Sequence, residues 1–229
     1  MALAATRITA QLPDETKNLA RPPIISQENI SMNLALPDID KMHKRLVELV
    51  LEYAFQYSES PGFKLVHGGT SPFYFNCKKV TLDPEGQYLI GNLVFEALSG
   101  VGVDGVGGLT LGADAPANAV AYTSWLKGRP IQSFIVRKAR KDHGIVASIE
   151  GKVKAGDRVV VLDDVVTTGG STLQAVSACR EAGFEILGAI ALVDRQEMNG
   201  RENIEKEVPF FKALVTREEV MRLYRQTAG

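Results

Sequence analysis

The sequence predicts an α/β domain with a mostly parallel sheet, helices on both faces of that sheet, and a small N-terminal hood. Two observations support this fold class. The run at 159–162, three valines and a leucine, is typical of a buried parallel strand. From residue 104 onward such runs alternate with helical segments, and this alternation favours parallel strands connected by covering helices.

The first part of the chain predicts an extension, a helix and the hood. Residues 1–36 contain three prolines and no sustained periodicity, so we expect a partly disordered N-terminal extension to a folded domain of residues 37–229. Asp38 is the predicted N-cap of a helix whose apolar side chains recur at helical spacing as far as Tyr53. The hood, about residues 60–80, has two aromatic-containing runs around a Gly-Gly-Thr-Ser-Pro turn, which indicates a β-hairpin.

Caps and periodicity predict the remaining elements. Asp83 and Pro84 begin a helix that ends at Gly100. Thr-Arg-Glu-Glu at 216–219 is a capping box that begins a final helix. Between them we expect, in order, strand 104–109, helix 114–127, strand 131–136, a polar loop, the strand that contains 159–162, helix 171–182, and strands 186–193 and 210–215.

The composition limits the partners of the protein. Lys plus Arg (26) nearly balances Asp plus Glu (27), so no global field would attract nucleic acid or an anionic membrane. No apolar run approaches the ~18 residues that a membrane span requires. The two cysteines are far apart and lack metal-ligand spacing, which indicates free thiols. We therefore expect a cytoplasmic protein that binds neither nucleic acid nor membrane.

Two adjacent carboxylates, Asp163 and Asp164, end the run at 159–162. Burying two like charges side by side is unfavourable unless a cation or several hydroxyl groups meet them. The segment 167–172, Thr-Thr-Gly-Gly-Ser-Thr, supplies glycine amides, four hydroxyl groups and a helix start, which together can bind phosphate. A phosphorylated ribose suits both features, with its phosphate in this loop and its hydroxyl groups on the carboxylates. The alternative is a buried strand end followed by a Ser/Thr-rich helix cap.

This pattern resembles the phosphoribosyl-pyrophosphate (PRPP) motif of type I phosphoribosyltransferases, and the resemblance extends over about residues 38–222. It implies the fold of that family and a pyrophosphate loop at 107–114, Gly-Gly-Leu-Thr-Leu-Gly-Ala-Asp. It implies a catalytic role for Asp164. The residues of this motif that are expected to bind PRPP are Asp163, Asp164, Val165, Val166, Thr167, Thr168, Gly169, Gly170 and Ser171.

A basic segment indicates which branch of this family the sequence resembles. It lies at 135–144 and reads Ile-Val-Arg-Lys-Ala-Arg-Lys-Asp-His-Gly. An isolated run of this kind is usually a solvated loop. Between two strands of a PRPP-binding fold, it resembles the mobile catalytic loop of orotate phosphoribosyltransferases, which closes over pyrophosphate. The resemblance implies that Arg137, Lys138, Lys141 and His143 bind PRPP, and that Lys141 and His143 take part in catalysis.

Two further segments resemble the orotate-binding parts of that family. Ser-Pro-Phe-Tyr-Phe-Asn at 71–76 resembles the hood segment, and Leu-Val-Asp-Arg-Gln-Glu at 192–197 resembles the segment whose arginine binds the orotate carboxylate. The residues implied in orotate binding are Tyr74, Phe75, Thr167 and Arg195. Many members carry a lysine and a second cation in the hood, whereas residues 66–69 here are Val-His-Gly-Gly.

The resemblance implies Mg²⁺-dependent transfer of phosphoribose from PRPP to orotate, giving orotidine 5′-monophosphate and pyrophosphate in pyrimidine biosynthesis. It implies that PRPP itself holds most of the magnesium, so no protein metal site is expected. It also implies a homodimer whose basic loop reaches the partner's active site. Two alternatives remain open: transfer to another base, and a PRPP-binding regulator without transfer.

Overall fold

The structure of the protein, a computed structural model, describes residues 38–60, 62–64, 69–141 and 144–227, with the backbone alone for 138–141 and 144–147. The predicted extension, hood residues 66–68 and His143 lie outside the described residues. The strands in these ranges are β1 Phe55–Tyr57, β2 Phe63–Lys64, β3 Thr70–Ser71, β4 Phe73–Phe75, β5 Gly105–Leu109, β6 Gln132–Lys141, β7 Gly144–Gly151, β8 Arg158–Val166, β9 Glu185–Asp194 and β10 Phe211–Thr216. The helices are α1 Ile39–Leu49, α2 Lys78–Thr81, α3 Pro84–Ala97, α4 Asp114–Leu126, α5 Gly170–Glu181, α6 Gly200–Glu205 and α7 Arg217–Thr227.

A six-stranded sheet forms the centre of the domain, in the order β10-β9-β8-β5-β6-β7. The first four neighbouring pairs in this order are parallel, and only the edge pair β6–β7 is antiparallel. The carboxyl ends of β9, β8, β5 and β6 therefore lie side by side along one edge of the sheet. The predicted mostly parallel α/β fold is confirmed.

Hydrophobic clusters cover both faces of the sheet, and β8 contributes to each. Val160 and Leu162 belong to one buried cluster, which includes side chains of α1, α3 and α4. Val159 and Val161 belong to the other, which includes side chains of α5. Since successive side chains of a strand point to opposite faces, this division explains why the run at 159–162 is continuously apolar.

Local capping signals place the helices where the sequence predicts them. Asp38 accepts a hydrogen bond from Lys41 N at 3.1 Å, and Asp83 accepts one from Gly86 N at 2.8 Å. In the capping box of α7, Glu219 Oε2 accepts from Thr216 N at 2.8 Å, and Glu219 N donates to Thr216 Oγ1 at 3.3 Å. The three predicted caps are confirmed.

The hood contains an antiparallel strand pair, as predicted, but with a different partner. In the described residues the two aromatic-containing runs do not pair with each other; β2 pairs with β3, and β4 pairs with β1. The first helix continues as a π-helical turn, Val50–Ala54, after which β1 begins. Phe55 and Phe75 are opposite each other across this pair, with ring centroids 5.1 Å apart, so aromatic packing favours the longer-range pairing.

The prediction of a polar loop after residue 136 is wrong. β6 continues to Lys141, and β7 returns antiparallel to it from Gly144. This two-stranded arm extends past the end of β5, which pairs with β6 only as far as Val136. The charged end of β6 carries no apolar period, which hides the strand in the sequence, whereas β7 contains β-branched residues that are compatible with a strand. Helices α2 and α6, both short, were also not predicted.

None of the helices in the described ranges is long and apolar enough to cross a membrane.

Candidate active site

Loops at the carboxyl edge of the sheet bring the predicted site residues together. Residues 110–113 follow β5, residues 167–169 follow β8, and Arg195 follows β9 directly. These three strands are neighbours, and β6 with its basic arm lies next to β5. In open α/β sheets, ligands bind beyond the carboxyl ends of the strands, so this edge is the candidate active site.

Asp163 is buried near the end of β8. Its Oδ2 accepts a hydrogen bond from Thr172 Oγ1 at 2.7 Å, and its Oδ1 accepts one from Asp164 N at 3.0 Å. Burial raises the pKa of Asp163 to about 7, opposed by the Thr172 hydrogen bond and reinforced by the charge of Asp164. Asp163 can therefore change its protonation state near neutral pH.

Asp164 forms an ion pair with a lysine that the sequence does not predict as a site residue. Lys78 Nζ lies 3.0 Å from Asp164 Oδ2, and the Asp164 side chain is only 8% exposed. Burial lowers the pKa of Lys78, but the hydrogen bond to Asp164 and its charge outweigh this effect and raise the pKa overall. Thr172 and Lys78 thus supply the hydroxyl group and the cation that the two carboxylates require. No local signal separates Lys78 from its neighbour Lys79 in the sequence.

The loop after β8 is a tight turn that requires glycine. Gly169 has φ +80°, and a Cβ atom there would lie 2.9 Å from Ile204 Cγ1, so glycine is required at this position. Asn203 Nδ2 donates to Thr168 O at 3.1 Å, which ties the loop to α6. Gly169, the N-cap of α5, offers no side-chain cap, and Gly170 N makes one long hydrogen bond, to Thr168 Oγ1 at 3.3 Å. The helix start therefore suits an anion, which would replace this weak contact.

The other residues of the PRPP motif complete this turn. Val165 and Val166 still belong to β8, opposite Val193 and Asp194 of β9, and Thr167 is half-buried. Gly170 and Ser171 are exposed.

Gly112, in the loop after β5, lies against both carboxylates. A Cβ atom at this position would be 2.8 Å from Asp164 Oδ1 and 3.0 Å from Asp163 Oδ1. Thr110 Oγ1 donates to Asp114 Oδ2 at 2.7 Å and links the start of this loop to α4. The predicted pyrophosphate loop is therefore adjacent to the predicted ribose-binding carboxylates.

Arg195 links the sheet edge to the hood. Its Nη2 donates to Phe73 O at 3.1 Å and lies 2.6 Å from Glu197 Oε2. Glu197 Oε1 in turn accepts from Ser71 Oγ at 2.7 Å. Arg195 is buried, and its Nε has no hydrogen-bond partner among the described residues. A buried donor without a partner costs free energy, which a ligand that accepts from it would restore.

The two aromatic residues predicted to bind orotate have different surroundings. Tyr74 is 41% exposed, whereas Phe75 is 7% exposed and packs in the core. Neighbouring side chains on a strand point in opposite directions, so one faces solvent while the other faces the core.

The basic arm extends from the strand beside the pyrophosphate loop. Arg137 is exposed, with Nη1 3.7 Å from Glu150 Oε1. In the register of the arm, Lys138 lies opposite Ala147, and Lys141 lies opposite Gly144 at the outer end. The side chains of Lys138 and Lys141, and the whole of His143, lie outside the described residues.

The sheet topology and the loop after β8 define a phosphoribosyltransferase domain, and the family model for the phosphoribosyl transferase domain matches residues 107–215. An orotate phosphoribosyltransferase of Aquifex aeolicus (strain VF5) is 48% identical over 169 residues, which span 73% of this chain and 92% of that protein. The chain belongs to the orotate phosphoribosyltransferase family.

Solved structures agree with this assignment. The orotate phosphoribosyltransferase of Mycobacterium tuberculosis H37Rv in complex with inorganic phosphate has a TM-score of 0.67 and 32% identity, covering 79% of this chain and 98% of that one. The same enzyme in complex with PRPP has a TM-score of 0.63 and 31% identity, covering 79% and 92%.

Proposed function

We propose that the protein transfers phosphoribose from PRPP to orotate, with release of pyrophosphate, in pyrimidine biosynthesis. The observation that carries this proposal is the buried pair Asp163 and Asp164, which lies shortly before the start of α5 and beside the 110–113 loop. The family assignment and the pairing of Arg195 with the hood support orotate as the acceptor.

PRPP would bind with its 5-phosphate on the amides at the start of α5 and with its ribose hydroxyl groups on Asp163 and Asp164. As the glycosidic carbon–oxygen bond breaks, positive charge develops on the ribose and negative charge on the pyrophosphate. The carboxylates stabilise the ribose charge, and Asp164 is the proposed catalytic member of the pair. Lys141 and His143 of the basic arm, with Arg137 and Lys138, would stabilise the leaving pyrophosphate.

Magnesium would bind together with PRPP. The described part of the chain holds no group of three or more His, Cys, Asp or Glu side chains that could form a metal site. Asp163 Oδ2 and Asp164 Oδ2 are already engaged by Thr172 and Lys78, respectively. This donor set fits a hard cation that takes most of its ligands from pyrophosphate and water. The ion would neutralise charge on the leaving group.

Orotate would bind between the hood and the end of β9. Nη2 of Arg195 already contacts Glu197 and Phe73 O, but Nε has no partner among the described residues and is a donor for a carboxylate ligand. The exposed ring of Tyr74, with Thr167, is proposed to orient the pyrimidine ring, and Phe75, which packs in the core, would support the strand that carries Tyr74. A ring nitrogen of orotate then attacks the ribose carbon, and no covalent enzyme intermediate is needed.

Two features beyond this chemistry remain proposals. The protein is proposed to act as a homodimer in which the basic arm of one subunit reaches the partner's site. The cytoplasmic location expected from the sequence also stays a prediction. Transfer to another base and PRPP sensing without transfer are the alternatives that the first experiment has to separate.

That experiment is a panel of bases with PRPP and Mg²⁺. Orotate consumption is followed by ultraviolet absorbance, and uracil, adenine and hypoxanthine are tested in parallel. We expect turnover with orotate alone, and we expect Asp164→Asn to lose most of it, whereas Asp40→Asn, which changes an exposed carboxylate of α1, keeps it. Turnover of another base would refute the choice of acceptor. PRPP binding without any turnover would favour the regulator.

A further inference from the structure

Lys78 occupies a special place between the hood and the acid pair. It is the first residue of α2 and comes three positions after β4, the hood strand. Its Nζ donates to Asp164 Oδ2 at 3.0 Å, across 86 positions of sequence. The neighbouring Lys79 is also exposed but has no ion pair within the described ranges. The contact with the Asp164 carboxylate therefore distinguishes Lys78 from Lys79.

The contacts of Asp164 divide its two oxygens between different neighbours. Oδ2 is held by Lys78, and Oδ1 faces the loop after β5, where a Cβ atom at Gly112 would lie 2.8 Å away. The neighbouring carboxyl of Asp163, when it is protonated, is the other side chain that can hydrogen-bond to this carboxylate. Without Lys78, a nearly buried carboxylate beside Asp163 would lose its counter-charge and the contact that fixes its rotation.

We propose that Lys78 is a positioning residue for phosphoribosyl transfer: it holds Oδ2 of Asp164 and thereby presents Oδ1 to the ribose, at the point where the ribose meets the pyrophosphate loop. This inference rests on the proposed function. Lys78 acts through Asp164 and is not itself assigned a contact with the substrate. It also connects the hood, through the short segment between β4 and α2, to the site of PRPP binding.

The test measures PRPP affinity by calorimetry with Mg²⁺ and no orotate, together with steady-state turnover. We expect Lys78→Met to weaken PRPP binding by about ten- to a hundredfold, the effect of losing one charge-assisted contact. The turnover number should fall as well, while the KM for orotate changes less than twofold. Lys78→Arg should restore binding to within about threefold of the wild type, because it keeps the charge. Lys79→Met is the matched control and should behave as the wild type.

A double-mutant cycle with Asp164→Asn shows whether Lys78 acts through the carboxylate. If it does, Lys78→Met causes little further loss of PRPP affinity in the Asp164→Asn background. A full additional loss would overturn the inference in favour of direct contact with PRPP. Unchanged PRPP affinity in Lys78→Met would overturn it as well. Thermal unfolding of each variant identifies a loss of PRPP affinity that arises from misfolding. If Lys78→Met does not fold, Lys78→Gln is measured in its place.

The two proposals fail in different ways. If the wild type binds PRPP but does not convert orotate, the proposed acceptor is wrong. The cycle on PRPP affinity still decides the role of Lys78 in that case, because it does not depend on turnover.

Discussion

The raised pKa of Asp163 predicts a pH-dependent stability that a single substitution removes. In the folded protein this carboxyl has a pKa of about 7, against 3.8 as its ordinary value. Between these pH values the folded protein binds more protons than the unfolded chain, so stability falls as the pH rises through this window. Asp163→Asn mimics the protonated carboxyl: its amide oxygen can accept from Asp164 N, and its NH₂ group can donate to Thr172.

The magnitude follows from the two pKa values. The difference between 3.8 and about 7, multiplied by 1.36 kcal/mol for each tenfold change in proton affinity, gives roughly 4 kcal/mol. Below pH 4 the wild type and Asp163→Asn should have similar free energies of unfolding. Above pH 7 the variant should be the more stable protein by up to roughly 4 kcal/mol, and most of the difference should appear between pH 4 and 7.

Urea unfolding followed by circular dichroism at several pH values from 4 to 9 measures this difference. Asp40→Asn serves as the control, since it removes an exposed carboxylate, and it should show a nearly constant difference from the wild type. The reasoning is refuted if the difference between Asp163→Asn and the wild type does not grow with pH. The same variant should bind PRPP more weakly, because an amide cannot offer two acceptor oxygens to ribose hydroxyl groups.

The remaining predictions concern turnover. Lys141→Ala should lower the turnover number by at least about a hundredfold, since it removes charge stabilisation of the leaving pyrophosphate, with little change in thermal unfolding; an unchanged rate would contradict its assignment. Mixing Lys141→Ala with Asp164→Asn should restore part of the activity through hybrid dimers, and persistent inactivity after confirmed subunit exchange would argue against shared sites. Arg195→Lys should raise the KM for orotate by about ten- to a hundredfold through loss of bidentate binding, with little effect on PRPP affinity, as steady-state kinetics would show.

The elements that the sequence predicts are those whose signals are local. Asp38, Asp83 and the Thr216–Glu219 box each use hydrogen bonds within three residues, so their helices begin where expected. The apolar run in β8 and the loop after it are also continuous in sequence. The order of residues along the chain is therefore enough to predict a buried strand that ends in two acids, followed by a turn and a helix start.

The features that the sequence does not predict depend on contacts between distant segments. Lys78 meets Asp164 across 86 positions, and Ser71 meets Glu197 across 126. Strand β4 of the hood pairs with β1, which follows the first helix, where aromatic rings pack together, and the basic arm forms by antiparallel pairing of β6 with β7. None of these contacts produces a periodic or capping pattern, so periodicity and propensity cannot locate them.

These distant contacts have a common consequence, because they fix both ends of one hood segment. Ser71, at its start, bonds Glu197, which pairs with Arg195 at the end of β9; Lys78, just after its end, bonds Asp164 near the end of β8. The two strands are neighbours in the sheet, so the segment spans the proposed orotate and PRPP subsites. A displacement of the hood would disturb the Asp164 carboxylate and the Arg195 guanidinium together. The hood thus adds a second physical link between the proposed base and ribose subsites, beside the direct pairing of β8 with β9 in the sheet.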